Sequence, residues 1–103
     1  MPRLLIIVAG GYDTHPPYLL LSVEILDESS NEWQTGPELP FGITDFQMVE
    51  DPKGGVILVG GVSDSIGALD TLHQLPHGGK DAVWTRMAQK LEIERYGHVA
   101  FLV

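Results

Sequence analysis

Two short apolar runs, each closed by a double glycine, constrain this chain more than any other feature. Leu5-Ile6-Ile7-Val8-Ala9-Gly10-Gly11 recurs as Val56-Ile57-Leu58-Val59-Gly60-Gly61. Similarity at a fixed period of tens of residues decides an architecture before any single motif does, because each copy is one structural unit stacked on the next. Gly10 and Gly60 lie 50 positions apart, Trp33 and Trp84 lie 51 apart, and Leu39 and Leu91 lie 52 apart. Three landmarks in the same order, drifting as single-residue loop insertions would make them drift, mark an internal repeat.

Each run is rich in β-branched residues, too short for a helix and stopped by glycine, which fits a strand buried on both faces. The doublets supply positive φ or let another backbone approach, and either use excludes a Cβ. In the first copy, residues 12–20 form a loop around Pro16-Pro17, where two ladder donors are missing. Residues 22–27 alternate as a second strand, residues 28–32 make a polar turn, and a short third strand around Trp33 closes at Gly36-Pro37. The second copy starts with a strand the first lacks, over residues 45–50, which Asp51-Pro52-Lys53-Gly54-Gly55 turns directly into Val56. A loop over 62–70, a strand over 71–75, a turn over 76–79 and a strand over 83–86 follow. Residues 98–103 occupy the position of Phe46 onward, which predicts the first strand of a further unit. No segment carries a helical period, 85–95 coming nearest, and the expected fold class is all-β.

At 103 residues the chain makes at most one domain, burying roughly 60–70% of the surface its unfolded form exposes. With 44% apolar and 19% charged residues, it falls on the folded side of the disorder boundary. Six basic against fourteen acidic residues give a net charge of -8, the wrong sign for a nucleic-acid backbone or an anionic membrane surface. The six-residue apolar run after Met1-Pro2-Arg3 is shorter than the ~7–15 residues of a signal-peptide core, and Pro2-Arg3 matches Pro52-Lys53 ahead of the second copy, so it reads as a strand. No run approaches the ~20 apolar residues of a membrane span. There is no cysteine, which excludes disulfides and thiolate metal sites and leaves the compartment open.

Strand, Gly-Gly, loop, strand, polar turn, tryptophan and a leucine-bearing loop, at a period near 50, resemble the kelch repeat, and the resemblance covers nearly the whole chain. It implies two blades of a β-propeller, over residues 1–42 and 43–94, with residues 95–103 as the first strand of a following blade. It further implies a channel-side position for Gly10, Gly11, Gly60 and Gly61, and packing between blades for Trp33 and Trp84. Arg95 and His98 match the family's Arg and His before the first strand. The copies depart from the pattern at Leu26 and Leu75, where an aromatic residue is expected, and at Ile43 and Phe46, where the first copy should carry Arg and His. A propeller closes with about four blades or more. The resemblance therefore implies either a segment of a longer protein or a protomer that self-assembles, for instance three chains in a six-bladed ring with exchanged strands.

Candidate chemistry is sparse. His73 and His77 have the spacing that holds zinc on a helix, but on a strand and turn, residues four apart are some 13 Å distant, and no metal or other cofactor is expected. Gly61-Val62-Ser63-Asp64-Ser65 lacks the closing glycine of a nucleophile elbow, and the glycine doublets lack the spacing of a dinucleotide cradle. Asp27, Glu28 and Glu32, and likewise Glu92 and Glu94 beside Arg95, read as solvated surface.

The expected function is accordingly a non-catalytic protein-interaction module. Loops at the ends of a sheet scaffold are where recognition sits, and the resemblance points to residues 12–20, 40–44, 62–70 and 92–97. Asp13, His15, Asp64, Arg95 and Tyr96 are the binding candidates. Two other classes occur in kelch proteins: sugar-active propellers of the mutarotase kind and structural, actin-binding proteins. The copper site of the galactose oxidase group needs a cysteine this chain lacks.

Overall fold

The computed structural model describes residues 5–16, 18–76 and 82–103. Leu4, Pro17 and most of the turn expected over 76–79, His77 included, lie outside the described residues. Within them the fold is all-β, built from three antiparallel sheets.

The first sheet contains β1 (Leu5–Ala9), β2 (Val23–Asp27) and β3 (Glu32–Thr35), in that order. The polar turn between β2 and β3 is held by Asp27, whose carboxylate accepts the Ser29 amide and hydroxyl at 2.9 and 2.8 Å, an Asx-type turn. The second sheet has four strands: β5 (Gln47–Glu50), β6 (Val56–Val59), β9 (Thr71–Leu75) and β10 (Thr85–Lys90), in the spatial order β10-β9-β6-β5. Its β5–β6 hairpin turns as the sequence predicts, with Asp51 N–H donating to the Gly55 carbonyl at 2.9 Å.

The third sheet was not expected. β4 (Ile43–Thr44), β7 (Val62–Ser63) and β8 (Gly67–Ala68) pair in the order β4-β7-β8 inside segments read from the sequence as loops. Ser63 makes the corner: its hydroxyl accepts the Ile66 amide at 2.8 Å. In the first copy the matching pair is a lone bridge between Tyr12 and Leu19.

Two backbone bonds around the first glycine doublet recur around the second. Gly10 N–H donates to Ser22 O and Gly60 N–H to Thr71 O, both at 3.0 Å. Leu20 N–H donates to Gly11 O at 2.9 Å and Leu69 N–H to Gly61 O at 2.8 Å. Gly10 and Gly60 have φ of 68° and 61°, and Gly11 and Gly61 have 102° and 105°. The doublets serve one purpose twice: each turns the chain off a strand through conformations that a Cβ disfavours.

The core lies between the two large sheets. Val23, Leu39, Ile43, Leu58 and Leu69 are buried together, with Ile7, Ile25, Met48 and Trp84 packed on them. Leu39, one of the repeat landmarks, is a core residue. Directly paired strand residues share a face and successive ones alternate, so Ile7, Ala9, Val23 and Ile25 look from the first sheet toward Met48, Leu58 and His73 of the second.

Two strand expectations are corrected. Trp84 lies before β10 rather than in the strand expected over 83–86; its partly buried indole packs on the core and donates from Nε1 to the Pro37 carbonyl at 2.9 Å, crossing from one copy to the other. Residues 98–103 form no strand. A strand exists only with a pairing partner, and within the described residues none reaches this segment. Trp33, by contrast, does sit on a strand and is 52% exposed.

Candidate functional site

Loops from both copies meet beside the small third sheet. Tyr12, Tyr18 and Leu19 from the first copy, Thr44 from the connection, and Val62, Ser63 and Asp64 from the second line an open cleft of about 390 Å³. The two glycine doublets put it there, since each leads from a strand of a large sheet into one of the loops that form the walls.

The first wall closes on itself. Asp13 N–H donates to Tyr18 O at 2.7 Å and Tyr18 N–H to His15 O at 3.0 Å, while the Asp13 carboxylate accepts the His15 amide at 3.2 Å and lies 3.5 Å from the His15 ring. The turn forces Tyr18 to φ 68°. A bulky non-glycine residue in the left-handed region is an outlier that costs on the order of 1 kcal/mol. Tyr12 and Tyr18 are nevertheless exposed, at 69% and 52%. The second wall ends in Asp64, exposed at the tip of the β7–β8 turn, with its carboxylate packed near Gly42: a Cβ there would stand 3.3 Å from Oδ2. Ser63 and Thr44 are buried behind it.

Of the residues singled out in the sequence, Asp64 lines the cleft and Asp13 and His15 belong to the loop that forms its first wall. Arg95 and Tyr96 do not line it. What Arg95 contributes is backbone: its carbonyl accepts the Gly61 amide at 2.9 Å, and its amide donates to Leu69 O at 3.0 Å. Its side chain is exposed, Nε lying 3.4 Å from Ile93 O. Tyr12, Tyr18 and Thr44 were not named as contacts, because nothing in the sequence sets two loop tyrosines apart from ordinary solvated ones.

His73 and His98 are structural. His73 is buried against Phe41, ring centroids 5.5 Å apart and nearly perpendicular; burial, and then the Arg86 guanidinium, hold its imidazole below the usual 6.5. His98 lies with Nε2 2.9 Å from the Val59 carbonyl. A carbonyl only accepts, so the Nε2–H tautomer is the one that bonds there. Among the described residues no three His, Asp or Glu side chains gather as metal ligands would.

No protein-family model and no curated protein sequence matches this chain.

Proposed function

We propose that the chain is a pair of kelch-type propeller blades serving as a protein-interaction module, and that its cleft receives a basic side chain from a partner protein. The repeated bonding around the glycine doublets supports the blade reading. The observation that carries the functional one is the cleft's make-up: two exposed tyrosines and Leu19 facing the Asp64 carboxylate, across loops from different copies. Tyrosine faces attract a Lys or Arg cation by about 0.5–1 kcal/mol at exposed sites and more when desolvated, and Asp64 adds a directed charge. The net charge of -8 steers the same class of partner. Holding Tyr18 in a strained conformation is a cost that binding would explain.

Selection of a displayed random peptide library on the purified chain tests this. Enriched peptides should carry Lys or Arg beside an apolar residue, and their binding should fall about tenfold for Asp64→Lys and for Tyr18→Ala, but not for Asp51→Lys in the distant hairpin turn. Enrichment of nothing, or of peptides indifferent to Asp64 and Tyr18, would reject the reading.

A further inference from the structure

The cleft is lopsided in the groups it offers a cation. Its lining holds two tyrosines and the aliphatic Leu19 and Val62, but a single carboxylate, that of Asp64. Asp13 on the adjoining loop does not add a second, because its carboxylate already accepts the His15 amide and lies 3.5 Å from the His15 ring. Asp64 has no hydrogen-bond or ion-pair partner among the described residues. The Ser63 hydroxyl, buried behind it, is taken up in accepting the Ile66 amide at 2.8 Å. Among the described residues neither tyrosine ring packs on another ring, the one such contact being Phe41 with His73, and both tyrosines are exposed. Tyr18 is also preorganised, since its amide and carbonyl are both bonded within the loop, at 3.0 and 2.7 Å, which lowers the ordering cost of a ligand on its ring.

These groups discriminate among cations by the donors each must satisfy. A lysine ammonium carries three N–H donors and an arginine guanidinium five. A carboxylate to one side of the charged nitrogen reaches only the donors that point its way, and any turned toward the tyrosine, leucine and valine walls lose water without gaining an acceptor, which is a cost. Dimethylation of lysine keeps the positive charge and leaves one N–H, which a single carboxylate can meet. Its two methyl groups, which carry part of the charge, suit aromatic faces, as in the aromatic cages that hold methylated ammonium groups. A trimethyl group has no N–H and would use Asp64 for its charge alone. The net charge of -8 draws every cation alike, so the choice between them falls to the cleft.

We propose that the ligand of the cleft is a dimethylated lysine of a partner protein, its N–H on the Asp64 carboxylate and its methyl groups against Tyr12 and Tyr18. The assignment rests on the reading of the cleft as a site for a basic side chain and narrows that reading to one modification state.

A synthetic array of short randomised peptides tests it, the central residue being glutamine, arginine, lysine, or mono-, di- or trimethyl-lysine, probed with the purified full chain. The tightest peptide is then titrated in all six forms. The dimethyl form should bind about fivefold more tightly than the lysine and arginine forms, and more tightly than the trimethyl form. Asp64→Asn should weaken the dimethyl form more than the trimethyl form, because only the former loses a charged hydrogen bond. Tyr12→Leu should bring dimethyl and unmodified lysine to similar affinity, whereas Tyr12→Phe, which keeps the ring, should preserve the preference. Both positions are exposed, and circular dichroism checks that each variant folds; Asp64→Asn alone decides the matter if Tyr12→Leu does not. Lysine or arginine bound as tightly as dimethyl-lysine, a preference for the trimethyl form, or a preference untouched by Asp64→Asn would overturn the proposal and leave the basic-side-chain reading standing. Binding no tighter for any cationic centre than for glutamine would overturn both.

Discussion

His98 lies across Gly60: the ring's Nε2 is 2.9 Å from the Val59 carbonyl, and a Cβ on Gly60 would stand 2.8 Å from the same ring's Cε1 and 2.8 Å from Arg95 O. Gly60 thus combines a left-handed backbone with contact on a carbonyl that has nowhere to go. Gly11, at φ 102°, has open space where its Cβ would be.

Alanine at these two positions therefore separates strain from crowding. Gly11→Ala should cost about 1–2 kcal/mol, the backbone cost alone. Gly60→Ala adds the displacement of Arg95 and His98 and should cost about 2 kcal/mol more. Urea denaturation of both variants reads the difference, and equal losses would contradict the contact.

Trp84→Phe should destabilise by about 1–2 kcal/mol, because the Pro37 carbonyl loses its indole donor. Thermal melts of Trp84→Phe against wild type check it. No loss would mean that water replaces the donor freely.

His73 makes stability depend on pH with a defined sign. Its folded pKa is below the usual 6.5, so as pH falls through 6.5 the unfolded chain takes up a proton that the folded chain refuses. The stabilisation is complete above that value, declines below it, and stops declining once pH passes the depressed folded pKa. Urea midpoints between pH 7.5 and 5.5 should slope less in His73→Gln than in wild type; identical slopes would assign the effect elsewhere.

Tyr18→Gly relieves the strain at φ 68° but loosens the unfolded chain, leaving a net gain of about 0.5–1 kcal/mol. The same change should weaken capture of the peptides selected on the cleft about tenfold, as loss of the ring does in Tyr18→Ala. A variant that is less stable, or that binds as before, would show that the tyrosine's conformation serves the fold instead.

The sequence was most readable where pattern and punctuation coincide. The apolar runs into Gly10 and Gly60, the alternation over 45–50, of which 47–50 is strand, and the Asp51 turn all gave the right element, since burial and turn chemistry act there on neighbouring residues. Two-residue strands such as Ile43–Thr44 carry no period to detect; tertiary pairing alone makes them. Trp84 sits one residue before its expected strand begins to pair, and its indole is held by the distant Pro37 carbonyl, a contact that no local pattern signals. Residues 98–103 have the composition of a strand and lack its partner. The cleft was half visible: Asp64 stood out by its charge, whereas the tyrosines became recognisable only when the turn over 13–18 brought them beside the second copy.

The bond from the Trp84 indole to the Pro37 carbonyl also acts as a latch between the two copies: the second cannot swing away from the first without parting a ring nitrogen from its acceptor and opening the core on which the indole packs.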